Sequence, residues 1–185
     1  MSVDELTLRA NEAARRSAEL YRRLENRYDE FLPRERTRRV SRHRFSTLLE
    51  RIRRTGLPYG VHTIVYRDSG ELLLVRHEGV DRWVLPGGGI DGDESLLEAA
   101  RRELAEEAGV EARYDGLAML TRIELATGGY RTWGVLPIFA ASAETLELDV
   151  ADPDGEISRA RWFEELPEDT RDRDELLAWR RQALE

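Results

Sequence analysis

The chain has 185 residues, 41% of them hydrophobic, which suffices for one domain of ordinary size with an appendage and a real core. It contains no cysteine, which excludes disulfides, thiolate catalysis and cysteine-ligated zinc, and every one of its 29 basic residues is arginine. The formal net charge is −8, and no apolar run approaches the roughly 18 residues that a membrane span requires.

The N-terminal stretch MSVDELTLRANEAARR is acidic and then basic and lacks the apolar region of a secretory signal, so a cytoplasmic protein without membrane partners is expected. An acidic surplus without lysine also suggests a GC-rich, salt-adapted source. A melting temperature that climbs between low and molar KCl is expected on that reading, and a flat one contradicts it.

From Val3 to about Leu32 the pattern is helical. Leu6, Ala10, Ala13, Leu20, Leu24, Tyr28 and Phe31 fall on one seam, with Ser17 filling the step between Ala13 and Leu20. Pro33 ends that helix. A second helix is predicted over roughly Arg36 to Arg54, with Val40, Phe45, Leu48, Leu49 and Ile52 as its apolar face and Gly56 and Pro58 closing it. These two helices make residues 1–56 a helical N-terminal extension, and residues 57–185 the main domain.

After Tyr59 the period changes to that of strands. YGVHTIVYRD and ELLLVRHE read as a hairpin around DSG, DRWVLP as a short third strand, and Ala112–Leu125 and Arg131–Ala141 as two longer ones parted by TGG. Between them a helix is predicted from about Leu96 to Ala108, with Ser95 as N-cap, Glu98 completing a capping box and Gly109 just past the end. An acidic loop, LDVADPDGE, leads to a strand at SRARWFE, and a last helix runs over Asp172–Leu184. The order is that of an α+β or mixed α/β/α fold.

The central helix carries an electrostatic problem. Five glutamates crowd into Glu94–Glu107, and with Glu103 at zero on a helical wheel Glu107 lies at about 40° and Glu106 at about 300°. Like charges at these spacings repel. Leu97, Ala100, Leu104 and Ala108 form the adjacent apolar stripe, so one flank packs while the other presents carboxylates. Converging hard oxygen ligands suit Mg²⁺ or Mn²⁺, and the glycines before the helix let the backbone approach that face and offer a carbonyl. Helix geometry alone leaves a solvated acidic helix as the alternative.

The wider spacing narrows that choice. Gly88, five residues, Glu94, seven residues and then RELAEEAGV from Arg102 to Val110 resembles the Nudix box, G-x5-E-x7-R-E-U-x-E-E-x-G-U with U aliphatic, at every position. The lead-in WVLPG is also similar to that family, and the resemblance covers Tyr59 to about Pro167. It implies the Nudix fold, a mixed β-sheet sandwiched between helices with the box as loop–helix–loop. It also implies Mg²⁺- or Mn²⁺-dependent hydrolysis of a nucleoside diphosphate linked to another moiety, X. Carried over position by position, the resemblance makes Glu103, Glu106 and Glu107 metal ligands together with the carbonyl of Gly87. Arg102 orients the glutamates, Glu94 assists at the helix start and Gly109 is structural. A carboxylate then accepts the proton of the attacking water. From the loop DVADPDGEISRARWF, Glu156 is the candidate for that role, against the alternative of a solvated acidic loop.

The substrate is less legible. The proline, tyrosine, coenzyme A and NADH marks that accompany particular Nudix substrates are absent, so X stays undetermined and the small-molecule partner is a nucleotide. Arg76 and Arg82 are candidate phosphate clamps, Gly88 lies against the substrate face, and Trp133 with Tyr130 could stack on a base. Surface charge and core packing are the competing readings of these residues. His43, His62 and His77 show no ligand spacing. Arg34–Arg54 holds nine arginines against two glutamates. A nucleic-acid patch, suited to RNA 5′-end processing, is one reading of this arm. The favoured one pairs its arginines with the acidic domain or with a partner subunit, in keeping with a homodimer. The competing function class is a Nudix domain that senses a ligand or binds RNA without turnover. Intact box glutamates argue for the enzyme.

Overall fold

The computed structural model describes residues 2–185. Among these the elements run α1 (Val3–Arg27), β1 (Leu32–Arg39), α2 (Arg42–Thr55), β2 (Val61–Tyr66), β3 (Leu72–His77), β4 (Arg82–Val84), β5 (Gly87–Gly88), α3 (Leu96–Ala108), β6 (Ala112–Thr127), β7 (Tyr130–Ala143), β8 (Ile157–Phe163) and α4 (Arg173–Leu184). This is the mixed α+β architecture expected, and no helix among the described residues is long and apolar enough to cross a membrane. The chain divides into two compact units. One takes the chain up to Val61 together with Met119–Ile138, and the other takes His62–Ala118 and Phe139–Glu185.

In the first unit the predicted seam of α1 is realised. Leu6, Ala10, Ala13, Ser17, Leu20 and Leu24 are buried. Three of them pack with Phe45, Leu48, Leu49 and Ile52 of α2 and with Ile123 and Leu125 of β6. The chain's own α2 and β6 thus fill the seam. Two polar contacts fix α1 against β7 without orphaning buried groups: Ser17 Oγ donates to the Trp133 carbonyl at 2.8 Å and Thr132 Oγ1 to the Ala10 carbonyl at 2.9 Å. Ser41 caps α2, and Gly56 ends it in the left-handed region at φ 84°. A Cβ on Gly56 would lie 2.8 Å from Leu20 Cδ2, so close approach and backbone conformation both select glycine there.

The stretch expected to end the first helix and begin the second is a strand instead. The first helix stops at Arg27 with Tyr28 extended, β1 occupies Leu32–Arg39, and α2 begins only at Arg42. β1 runs parallel to β6, with Leu32 beside Met119 and Arg39 beside Ala126. Long-range pairing has overridden a local pattern that held no apolar alternation. The half-buried positions are Leu32 and three arginines, Arg34, Arg36 and Arg38, whose long aliphatic stems suit partial burial. As the outermost strand of its sheet, β1 also tolerates Pro33.

Three of the arm's arginines have partners within this same unit. Arg53 bonds Glu12 and Glu50 at 2.9 and 3.0 Å. Arg38 lies over Tyr59 and Arg42 over Tyr130.

In the second unit β3 pairs antiparallel with β2, β4 and β8, and β5 lies beside β2. The buried apolar face of α3, Leu104 and Ala108, packs on Val65, Leu73, Val75, Val84 and Ile157. Ser95 Oγ accepts the Glu98 N–H at 3.1 Å, the forward half of the expected capping box. Gly109 closes α3 in the left-handed region, as predicted. α4 buries Leu176 and Trp179, the latter against Tyr66.

Candidate functional site

The site is built where α3 meets the β5 glycines and the loop before β8. Capping of α3 fixes which side chains share a face, and packing of Leu104 and Ala108 sets that face toward the glycines. Asp149 and Ala151 donate their N–H groups to the carbonyls of Ala108 and Glu106 at 2.8 and 2.9 Å. These bonds satisfy two of the carbonyls that a helix end leaves open and draw the acidic loop to the end of α3.

Arg102 organises the carboxylates. Its Nε lies 2.9 Å from Glu94 Oε2, and its terminal nitrogens donate to Glu103 Oε1 at 2.9 Å, Glu106 Oε2 at 3.3 Å and the Gly89 carbonyl at 2.8 Å. Asp91 stands 3.4 Å away. A planar guanidinium with five donors is suited to such a hub, which a lysine ammonium could not span. The cluster raises the Arg102 pKa, with the Glu94 bond as the largest cause, and holds the Glu94 carboxyl below its ordinary range through the bond from Arg102.

Glu103 and Glu107 are buried, at 8% and 7% exposure, whereas the sequence had suggested an open carboxylate flank. The glycine strand covers them. A Cβ on Gly88 would fall against the Glu103 carboxylate, so a larger residue there would have to displace that carboxylate. Gly87 donates its N–H to Glu107 Oε2 at 3.1 Å. Burial is the largest cause raising both carboxyls. Glu103 is also raised by Glu106 and Asp154 and pulled back by Arg102. Glu107 is pushed up to about 9, with Glu103, Asp152 and Glu106 adding to the burial and the Gly87 N–H opposing it.

The loop acids divide differently from the expectation. Glu156, the sequence candidate for the proton acceptor, is exposed and its Oε2 lies 3.3 Å from His77 Nε2. Asp152 accepts the N–H groups of Glu156 and Ile157 at 2.7 and 2.9 Å and so shapes the loop. The two loop carboxylates that act on the buried glutamates through space are Asp154 on Glu103 and Asp152 on Glu107. Sequence reading passed over both, and their only signal was membership of the same acidic loop. Arg76 is committed to Asp81 and Asp169 and lies over Trp83. Arg82 is exposed on β4. Trp133 belongs to the first unit. His62 is half-buried with its Nδ1 buried and unpartnered, and its pKa is lowered to about 4 by desolvation and by Arg171.

Among the described residues no three acidic or histidine side chains form a ready-made metal set. The donor chemistry nonetheless fits a hard divalent cation: two buried carboxylates repel each other, and Glu107 has one N–H partner to offset its burial.

A family model described as the NUDIX domain matches residues 56–181, about two thirds of the chain. The chain belongs to the Nudix family. Its Nudix box therefore spans β5, α3 and the turn after it, and the Arg102 hub and the buried pair all lie inside it. An RNA pyrophosphohydrolase from Novosphingobium aromaticivorans is 35% identical over 137 residues, covering 61% of this chain and 83% of that one. One from Halorhodospira halophila is 44% identical over 55 residues, covering 30% of each, so the chain spans less than a third of that relative's length. The Nudix domain of Shewanella oneidensis NrtR, solved with ADP ribose, shares the fold at a TM-score of 0.50 and 22% identity, over 68% of this chain and 86% of that one.

The buried Glu107 gives the metal-free protein a pH dependence. An unfolded glutamate loses its proton near the ordinary value of 4.5, whereas the folded one keeps it to about 9, so stability falls as pH rises between the two. Glu107→Gln removes the group and flattens that fall. Melting temperatures in EDTA from about pH 6 to pH 9 check this, and equal slopes in the two proteins contradict it.

Proposed function

We propose that the chain hydrolyses the pyrophosphate bond of a nucleoside diphosphate derivative, with Mg²⁺ or Mn²⁺ held by Glu103, Glu106, Glu107 and the Gly87 carbonyl. The observation that carries this reading is the buried Glu103–Glu107 pair, pressed against the glycine strand, with Arg102 on Glu103 and the Gly87 N–H on Glu107. Mutually repelling carboxylates cost stability on burial and are retained where a cation neutralises them. A divalent cation bound there neutralises diphosphate oxygens and acidifies water.

The residues of the chain divide the remaining work. Arg102 holds Glu103 and Glu106 in register, and the Gly87 N–H aims Glu107. Glu156, exposed beside His77, is the proposed proton acceptor for the attacking water, with Asp154 of the same loop as the alternative carboxylate. Arg82, exposed on β4, is the available phosphate contact of the two arginines, Arg76 being tied to Asp81 and Asp169. The leading choice of X is a triphosphorylated RNA 5′ end, supported by the similarity to RNA pyrophosphohydrolases. Nucleotide sugars, ADP-ribose, dinucleoside polyphosphates and nucleoside triphosphates remain the small-molecule alternatives.

Release of phosphate, pyrophosphate or nucleoside monophosphate from that panel with Mg²⁺ or Mn²⁺ tests the proposal. Glu106→Gln and Glu107→Gln are each expected to lower kcat by about 10²- to 10⁴-fold on the substrate found, and Glu156→Gln to do so if it accepts the proton. An undiminished kcat in Glu156→Gln removes that residue from the mechanism. Silence across the panel, joined to tight RNA binding, favours the non-catalytic RNA-binding module instead.

A further inference from the structure

We infer that a cleft in the first unit binds a single nucleotide by its base and phosphate, through residues other than the box carboxylates. The cleft measures about 560 Å³ and is lined by Tyr21, Pro33, Arg34, Glu35, Arg122 and Trp133. That volume falls within the roughly 300–1,000 Å³ of small-molecule sites. Its lining comes from α1, β1, β6 and β7, all within the first unit.

Three features give the cleft its chemistry. First, it has an aromatic wall. Trp133 is half-buried, and Tyr21 meets it edge-on with ring centroids 6.2 Å apart. The Trp133 backbone is pinned by the 2.8 Å bond from Ser17, so the wall is placed by the helix packing. Second, the Arg122 guanidinium lies 4.0 Å from the Trp133 ring centroid. A guanidinium stacked on an indole presents a flat face on which a base can stack in turn. Third, the rim is charged. Arg34 donates to Met119 Sδ at 3.3 Å, and Arg122 stands beside Glu35 in strand register with its guanidinium 3.6 Å from Glu124. Arginine forks match phosphate oxygens, and an exposed carboxylate accepts from the N–H edge of a base. Half-exposed aromatic rings forgo apolar burial. Combined with two arginines in a concave site, they suit a planar, anionic ligand.

Calorimetric titration in EDTA, which silences any cation-dependent binding at the box, tests the inference on the full chain. The probes are AMP, GMP and UMP, with ribose 5-phosphate as a base-free control and a short 5′-phosphorylated single-stranded RNA. Saturable nucleotide binding is expected, weaker by about tenfold or more for ribose 5-phosphate, since base stacking is worth about 1–3 kcal/mol. Trp133→Leu and Arg122→Ala are each expected to weaken binding about tenfold, with Trp133→Phe retaining most of it. Arg122 is half-exposed, so Arg122→Ala with an unchanged melting temperature decides the matter if Trp133→Leu unfolds. RNA binding that is tenfold tighter, with the same variant dependence, supports the inference and assigns the cleft to an RNA end. Equal affinity supports it and assigns the cleft to free nucleotides. The inference is overturned if no nucleotide binds the wild type, if Arg122→Ala leaves binding unchanged, or if Glu106→Gln/Glu107→Gln abolishes it.

Discussion

Two carboxylates buried within one turn of each other are the constraint around which the second unit is arranged. Glu103 and Glu107 would repel in any medium, and burial strengthens the repulsion by lowering the local dielectric. The structure answers with local counter-charge. Arg102 sits on Glu103, a glycine N–H points at Glu107, and Glu94 and Asp91 in turn neutralise the arginine. Each answer constrains backbone as well as side chains. A Cβ on Gly88 would displace the Glu103 carboxylate, and the loop after β7 folds back so that its N–H groups serve the last carbonyls of α3.

The offset is incomplete at one atom pair. Glu107 has a single backbone donor, and nearby negative charge from Glu103, Asp152 and Glu106 pushes it the same way as burial does. With its pKa pushed up to about 9, it favours the protonated form at neutral pH. In the proposed function a cation would turn the same carboxylate into a ligand and so link binding to deprotonation.

Much of this was legible in the sequence, and the failures have physical causes. α3 was readable to the residue because its ends are marked by local chemistry, a serine whose hydroxyl caps the first turn and a glycine that takes the left-handed conformation after the last. The seam of α1 was readable because Leu6, Ala10, Ala13, Leu20 and Leu24 repeat at helical steps, and even Ser17 was placed on it. The resemblance to the Nudix box singled out Glu103, Glu106, Glu107 and Arg102, and the structure joins Arg102 to Glu103 and Glu106. β1 was not legible, because three of its four half-buried positions are arginines and its reason to be extended lies in β6, 87 residues away in sequence. Nor was the division of labour among the loop acids. Spacing cannot tell that Asp152 bonds the loop backbone while Glu156 turns to His77. The cleft that joins Tyr21, Arg34, Arg122 and Trp133 was equally hidden, since only tertiary packing brings those four together.

The account rests on the buried pair accepting a cation in exchange for a proton. Titrating Mn²⁺ into the protein near pH 7, by calorimetry in buffers of different ionisation enthalpy, measures both events at once. The expected result is saturable binding with release of about one proton per ion, and loss of both binding and proton release in Glu103→Gln/Glu107→Gln. Equal Mn²⁺ affinity in that variant, or binding without proton release, would contradict it.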